Sequence, residues 1–281
     1  MSKIAVIGIV GNSVFLPVDH FHQGGETIEA SSLHFEPGGK GFNQAVAAKR
    51  CGANVSFLAA VGFEYRNEFT AFLDKEGIDH TLVFKDESTA FAAIVTDREG
   101  RNRVTVYQGA HLSAEDVLPF EDAIKNADIL LLNNEVAEAV NIEAIKIAKK
   151  HSVKCILNPA PARETSAYVI DNVDLFTPNE HETLGIEDKN NVIVTLGAEG
   201  CLIRSTDEII PAASFGSTVD TTGAGDTFNG VMSAMLAEGY TLADSAKAAN
   251  TVAALGVTRR YAVSSIPTRD EIKEIISDIS L

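Results

Sequence analysis

The sequence contains no tryptophan, only three cysteines, and far fewer cations than anions. Nowhere does an apolar run approach the ~18 residues that span a bilayer. The apolar stretch from Ile4 to Val10 is interrupted by Gly8 and reads as a buried strand, not a leader or an anchor. Cys51, Cys155 and Cys201 are far apart and show no C-x-x-C spacing, which excludes a disulfide frame or structural zinc and points to a reducing, cytoplasmic setting. With 23 Lys+Arg against 39 Asp+Glu the formal net charge is −16, so broad contact with nucleic acid or an anionic membrane is excluded. An anionic substrate must then be met by local donors such as helix N-termini. The seven histidines form no metal-ligand constellation. Repeats, low-complexity tracts and Pro-rich linkers are missing too, so one domain over residues 1–281 is expected.

What remains is a globular composition, 45% hydrophobic and 22% charged. Short β-branched runs (Lys3 to Ile9, Val55 to Ala60, Ile129 to Leu132, Lys154 to Leu157, Val173 to Phe176, Val192 to Leu196, Cys201 to Arg204) alternate with segments of helical period. The helices are expected over Lys40 to Cys51, Asn67 to Glu76, Val140 to Lys150, Asp226 to Glu238, Leu242 to Leu255 and Arg269 to Ile279. This alternation predicts an α/β, doubly wound, mostly parallel sheet flanked by helices. Two segments, Glu26 to Phe35 and Ala90 to Tyr107, read instead as extended antiparallel structure, the second folding back at Asp97-Arg98-Glu99-Gly100-Arg101-Asn102. They predict a small β-sheet lid, inserted from about 12–36 and 89–108, over the strand ends where open α/β sheets bind ligands.

The strongest chemical signal is Val219-Asp220-Thr221-Thr222-Gly223-Ala224-Gly225-Asp226-Thr227-Phe228-Asn229-Gly230. Apolar residues at Phe228, Val231, Met232, Met235 and Leu236 mark the core-facing stripe of a helix that this stretch opens. Gly223 and Gly225 allow a sharp turn that gathers free N–H groups at the positive end of the helix, with the Asp226 carboxylate at the rim. An anion hole beside a carboxylate is what phosphoryl transfer to a hydroxyl requires. The plainer alternative is a helix cap at a glycine turn.

The whole dodecapeptide resembles the second signature of the ribokinase family of carbohydrate kinases, the PfkB kinases. Gly38-Gly39-Lys40-Gly41-Phe42-Asn43-Gln44-Ala45-Val46-Ala47-Ala48 is similar to the first. Asn158-Pro159-Ala160-Pro161-Ala162-Arg163 and Thr177-Pro178-Asn179-Glu180-His181-Glu182 also match family motifs. The resemblance implies ATP-dependent phosphorylation of a sugar hydroxyl, with Asp226 as base and the Gly223, Ala224 and Gly225 N–H groups as anion hole. It places Gly39, Lys40, Asn43, Glu135 and Ser13 at the sugar. Asn179, Thr195, Gly197, Gly200 and Asn250 fall to the nucleotide. Asn179 and Glu182, three apart and expected on one helix face, would hold Mg2+ through water. Asp220, Thr222 and Ser265 stand where the family binds K+, although Tyr261 replaces a usual glycine. A homodimer through the lid is implied as well.

Two departures stand out. Ribokinases carry Asn-x-Asp after the first strand, gripping sugar hydroxyls; here Gly11 and Ser13 take those places, which weakens the case for ribose. The span from Glu182 to Val192 is also short for a helix that relatives have. The alternatives carried from sequence are a nucleoside or sugar-phosphate kinase, with Arg66, Arg101 and Arg103 as unplaced cations, and a non-catalytic sugar or nucleotide sensor.

Overall fold

The computed structural model describes residues 2–99 and 101–279. The chain runs β1 (Lys3–Ile7), β2 (Gly11–Pro17), β3 (His34–Gly38), α1 (Lys40–Arg50), β4 (Asn54–Gly62), α2 (Arg66–Glu76), β5 (Asp79–Lys85), β6 (Ala90–Thr96), β7 (Asn102–Tyr107), α3 (Glu121–Lys125), β8 (Ile129–Asn133), α4 (Glu138–Lys150), β9 (Lys154–Asn158), α5 (Ala167–Asn172), β10 (Leu175–Phe176), β11 (Ile193–Thr195), β12 (Cys201–Ile203), β13 (Glu208–Ile210), α6 (Ala224–Glu238), α7 (Leu242–Gly256) and α8 (Arg269–Ile279).

Six strands pair in parallel in the order β10-β9-β8-β1-β4-β5. Successive connections run outward from β1 in opposite directions, so the sheet has its switch point between β1 and β8, where such folds bind ligands at the C-terminal strand ends. A bridge from Phe176 to Val192 carries the sheet on to β11, which forms an antiparallel three-stranded sheet with β12 and β13. Apolar residues fill both faces because the strands are covered on both sides. Ile4, Val6 and Phe57 pack under α1, α6 and α7, while Ala5, Leu130, Leu132 and Leu157 pack under α4. The body is thus the doubly wound α/β plan read from the alternation.

The second sheet, ordered β3-β2-β6-β7, corrects the sequence reading in detail. Its outer pairs are antiparallel, but the central pair, β2 with β6, is parallel, since each follows a strand of the parallel body, β1 and β5, at that strand's C-terminal end. β2 lies at the start of the lid segment expected from about 12–36, ahead of the Glu26 to Phe35 stretch read as extended; the strand expected from Lys3 to Ile9 stops at Ile7 and a new one starts at Gly11. Glu26 to Leu33 is irregular, held to the sheet by a Val18–Ala30 bridge and by Ser31, whose N–H and hydroxyl donate to the Pro17 carbonyl, and only His34 and Phe35 join β3. In the turn from Asp97 to Asn102, Gly100 lies outside the described residues; Asp97 is buried and accepts the Arg101 backbone and side-chain N–H groups.

The short segment 183–191 folds as turns, without a helix. Ile186 buries itself over the strand edge, and Arg204 clamps the turn by donating to the Ile186 and Glu187 carbonyls.

Candidate active site

Two helices begin face to face at the switch point. Gly223, the residue before α6, has φ +77, a conformation that an L side chain reaches only with strain. Further along α6, a Cβ on Gly230 would lie 2.4 Å from the Gln44 carbonyl oxygen, so only glycine lets α6 lie this close to α1. That close approach brings Asn43 and Gln44 of α1 to Asp226. Asn43 Nδ2 donates to Asp226 Oδ2 at 2.8 Å and Gln44 Nε2 to Oδ1 at 3.4 Å.

Glu135 follows β8 and caps α1 from outside: its carboxylate accepts the Lys40 backbone N–H at 2.7 Å. Its own N–H donates to Asn133, whose amide reaches the end of β1 at the Ile7 carbonyl.

The charges couple. Burial pushes the Asp226 carboxyl above its ordinary range, with Lys40 and the Asn43 and Gln44 N–H groups pulling it back. Burial likewise raises Glu135, to about 7, against the pull of Lys40 and with a further push from Asp226. Burial disfavours a charged Lys40, but Asp226, Glu135 and Glu182 outweigh it and hold the amine above its usual range.

A cleft of about 180 Å³ opens in front of these groups, lined by Lys40, Asn179, Glu182, Gly223, Gly225 and Asp226. A side chain added at Gly225 would meet nothing within 4 Å, so this residue borders free space. The N–H groups of Gly223, Gly225 and Asp226 have no partner among the described residues, whereas Ala224 N–H is engaged with the Thr221 carbonyl at 3.2 Å. Of the three N–H groups expected at the anion hole, those of Gly223 and Gly225 are thus free among the described residues and that of Ala224 is engaged. A second cavity, about 370 Å³, shares Thr195, Thr221 and Gly225 with the cleft and runs between Gly197, Gly200 and Asn250. Its size suits a nucleotide base and sugar. Asn250 forms its wall and is tied down, donating to the Ile210 carbonyl at 2.9 Å. A larger cavity, about 940 Å³, lies at the opposite strand ends beside His151 and Lys154 and shares no residue with the cleft or the second cavity.

Other expected positions fall differently. Asn179 and Glu182 do share the cleft, but on a turn and not a helix: the Asn179 N–H closes onto Glu182 Oε2 at 3.0 Å. Glu182 Oε1 accepts no hydrogen bond among the described residues. Ser13 sits in the lid opposite Glu36 and lines neither cavity, because its hydroxyl packs into the space beside Gly38. Asp220 Oδ1 accepts the Thr222 N–H and hydroxyl, Oδ2 accepts the Tyr261 N–H, and the Ser265 hydroxyl is spent on the Ala262 carbonyl. Tyr261 itself adopts φ +76, so the backbone shape that a glycine would take is present without the glycine. Among the described residues no group of three or more His, Cys, Asp or Glu is placed to hold a metal.

Sequence reasoning gave no role to Gln44, Asn158, Thr177, Asn229 or Glu36. The available signal was a polar residue ending a buried apolar run, as at Asn158 and Thr177. Glu36 is buried and receives the N–H groups of Ala262, Val263 and Ser264 and the Ser264 hydroxyl, locking β3 to the turn that holds Tyr261.

A glycine-opened helix, a buried carboxylate and a nucleotide-sized cavity at the switch point of a lidded α/β sheet define a small-molecule kinase. The chain belongs to the pfkB family of carbohydrate kinases, whose family model matches residues 1–269. It is 32% identical to a ribokinase of Lactococcus lactis over 304 aligned positions, covering 100% of this chain and 99% of the relative. Among solved structures, the ribokinase of Giardia lamblia superposes with a TM-score of 0.87 at 26% identity, covering 99% of both chains. The Arabidopsis thaliana ribokinase, solved with ribose and ATP, gives 0.82 at 25% identity, covering 98% and 99%. The protein is an ATP-dependent carbohydrate kinase that phosphorylates a sugar hydroxyl. Among the described residues no helix is long and apolar enough to cross a membrane.

Proposed function

We propose that Asp226 is the base of this transfer: it takes the proton of the attacking hydroxyl as the new O–P bond forms and the bond from the γ-phosphorus to the ADP oxygen breaks. The Gly223, Gly225 and Asp226 N–H groups receive the developing phosphoryl charge. The observation that carries this reading is the continuity of the two cavities at Gly225, with a buried carboxylate on one side and nucleotide-sized space on the other. Replacing Asp226 by Ala should leave ATP and sugar binding measurable by calorimetry while abolishing sugar phosphate; loss of binding together with turnover contradicts it.

Asn43, Lys40 and Glu135 orient the sugar in this reading, with Gly39 allowing close approach. Asn43 Oδ1 is buried with no partner, an acceptor free for a sugar hydroxyl. The relatives' names favour ribose, yet Ser13 and Gly11 offer no carboxylate or amide, so we take the acceptor to be a pentose read chiefly from the α1 side. Initial rates with ATP across pentoses, 2-deoxypentoses, hexoses, nucleosides and sugar phosphates test this; a preference for nucleosides or phosphorylated sugars overturns it.

Asn179 and Glu182 fit Mg2+ held through water, since both line the cleft and Glu182 Oε1 is unengaged among the described residues; the ion would neutralise triphosphate charge. For K+, Asp220 retains one lone pair on Oδ2 beside carbonyl-rich turns. Stimulation by K+ over Na+ that is lost in Asp220→Ala supports that site. Exposed Phe35, Phe91, Val106 and Tyr107 on the lid suit a homodimer, which a light-scattering mass near 29.9 kDa contradicts. The free thiols at Cys51, Cys155 and Cys201 suit a cytoplasmic location.

A further inference from the structure

A closed ring of buried side chains lies beneath the cleft. Gln44 Nε2 donates both to Asp226 Oδ1 and, at 3.3 Å, to Asn158 Oδ1. Asn158 Nδ2 donates to the Thr177 carbonyl at 2.8 Å, and the Thr177 hydroxyl donates to Asn229 Oδ1. Asn229 Nδ2 then donates to the Gly225 carbonyl at 2.8 Å. That carbonyl belongs to the peptide whose N–H is Asp226's own, so the ring leaves the Asp226 carboxylate and returns to its backbone. Its members come from α1, the end of β9, the residue after β10, and α6, and Gln44, Thr177 and Asn229 are each at most 2% exposed.

We propose that Gln44 is a positioning residue which, through Asn158, Thr177 and Asn229, fixes the orientation of the Asp226 carboxylate relative to the anion-hole peptide. The inference rests on Asp226 being the base. A role in packing alone does not account for Gln44. Its Oε1 is buried with no partner, a cost that an apolar side chain of the same size avoids. What the glutamine gains is the pair of N–H bonds to Asp226 and Asn158. Asn43 fixes the other carboxylate oxygen, so both oxygens of the base are held from α1 and its rotation is blocked. The ring also explains why the Asn158 and Thr177 motifs, far apart in sequence, carry polar residues at the ends of buried strands.

Gln44→Met keeps the volume and removes the donors. Steady-state kinetics over pH should show kcat lowered roughly 10- to 100-fold. KM for ATP and for sugar should stay within about threefold. The acid limb of kcat should move to higher pH, because a carboxylate that loses N–H donors holds its proton more tightly. The thermal midpoint should be unchanged or higher. Asn158→Ala should shift the same limb by less, and the double variant should be no slower than Gln44→Met alone. A kcat within about twofold of the parent with an unmoved limb overturns the inference, as do additive effects of the two substitutions. If Gln44→Met does not fold, Asn158→Ala decides: a displaced limb supports the ring and an unmoved one overturns it. The underlying reading fails separately: turnover retained in Asp226→Asn removes the base itself, whereas an inactive Asp226→Asn beside an unaffected Gln44→Met removes only the ring.

Discussion

The ring of Tyr261 lies face to face with the imidazole of His34, their centroids 3.7 Å apart and their planes 11° from parallel. Phe15 meets the same ring edge-on at 5.0 Å. These contacts join the lid to the turn whose N–H reaches Asp220, and they hold a tyrosine in a left-handed conformation. Tyr261→Ala keeps the backbone strain and loses the stack; Tyr261→Gly loses the stack but relieves the strain. The glycine variant should therefore be the more stable of the two by about 1 kcal/mol in denaturant unfolding. Equal stability, or a more stable alanine, contradicts this account of the turn.

Glu36 offers a second test of how the lid is attached. Its carboxylate serves three backbone N–H groups and a hydroxyl in a buried place, so Glu36→Ala leaves several donors unmet. The expected loss is roughly 3 kcal/mol, with the apparent KM for sugar rising more than that for ATP because β3 leads directly into Gly39 and Lys40, proposed to hold the sugar. Thermal unfolding and substrate titration check both parts. An unchanged midpoint argues that the lid is held elsewhere.

Two glycines of the α6 signature should behave oppositely. Gly225→Ala adds a methyl to open cleft, so folding stability should stay within about 0.5 kcal/mol of the parent while turnover falls steeply. Gly230→Ala drives a methyl into the Gln44 carbonyl and should cost about 2 kcal/mol or more. Paired unfolding and rate measurements separate the two; a destabilised Gly225→Ala shows that its site is filled by protein and not left for substrate.

This contrast shows what the sequence made legible. Glycines bracketing an acid at the start of an apolar stripe announced α6, and the β-branched runs announced the parallel body. β5 escaped because it begins Asp79-His80-Thr81 and is only partly buried along most of its length, and β2 is legible only as part of the lid segment because Asn12, Ser13 and Pro17 interrupt its apolar pattern. Asn179 and Glu182 are neighbours, as three-residue spacing on a helix face implies, but a hydrogen-bonded turn and not a helix joins them. The ring through Gln44 was invisible because its members meet only once four separate elements have packed.

Acidity should report on Glu135. Burial raises its folded carboxyl to about 7, above the ordinary carboxylate range, so the folded protein binds the extra proton between those limits. The stability this group contributes is therefore fully present at low pH and is lost as pH rises through about 7. In the proposed role Glu135 accepts substrate hydroxyls more strongly when ionised, so kcat/KM should fall as pH drops below about 7. Glu135→Gln should flatten both dependences and raise the KM for sugar. Profiles that superpose on the parent's exclude Glu135 from the sugar site.

The most direct measurement is single-turnover phosphoryl transfer by Asp226→Asn at saturating ATP and sugar. The account predicts a rate lower by roughly 10²- to 10⁴-fold, with ATP affinity close to that of the parent. A transfer rate within about tenfold of the parent contradicts it, because the asparagine has no lone pair basic enough to take the hydroxyl proton.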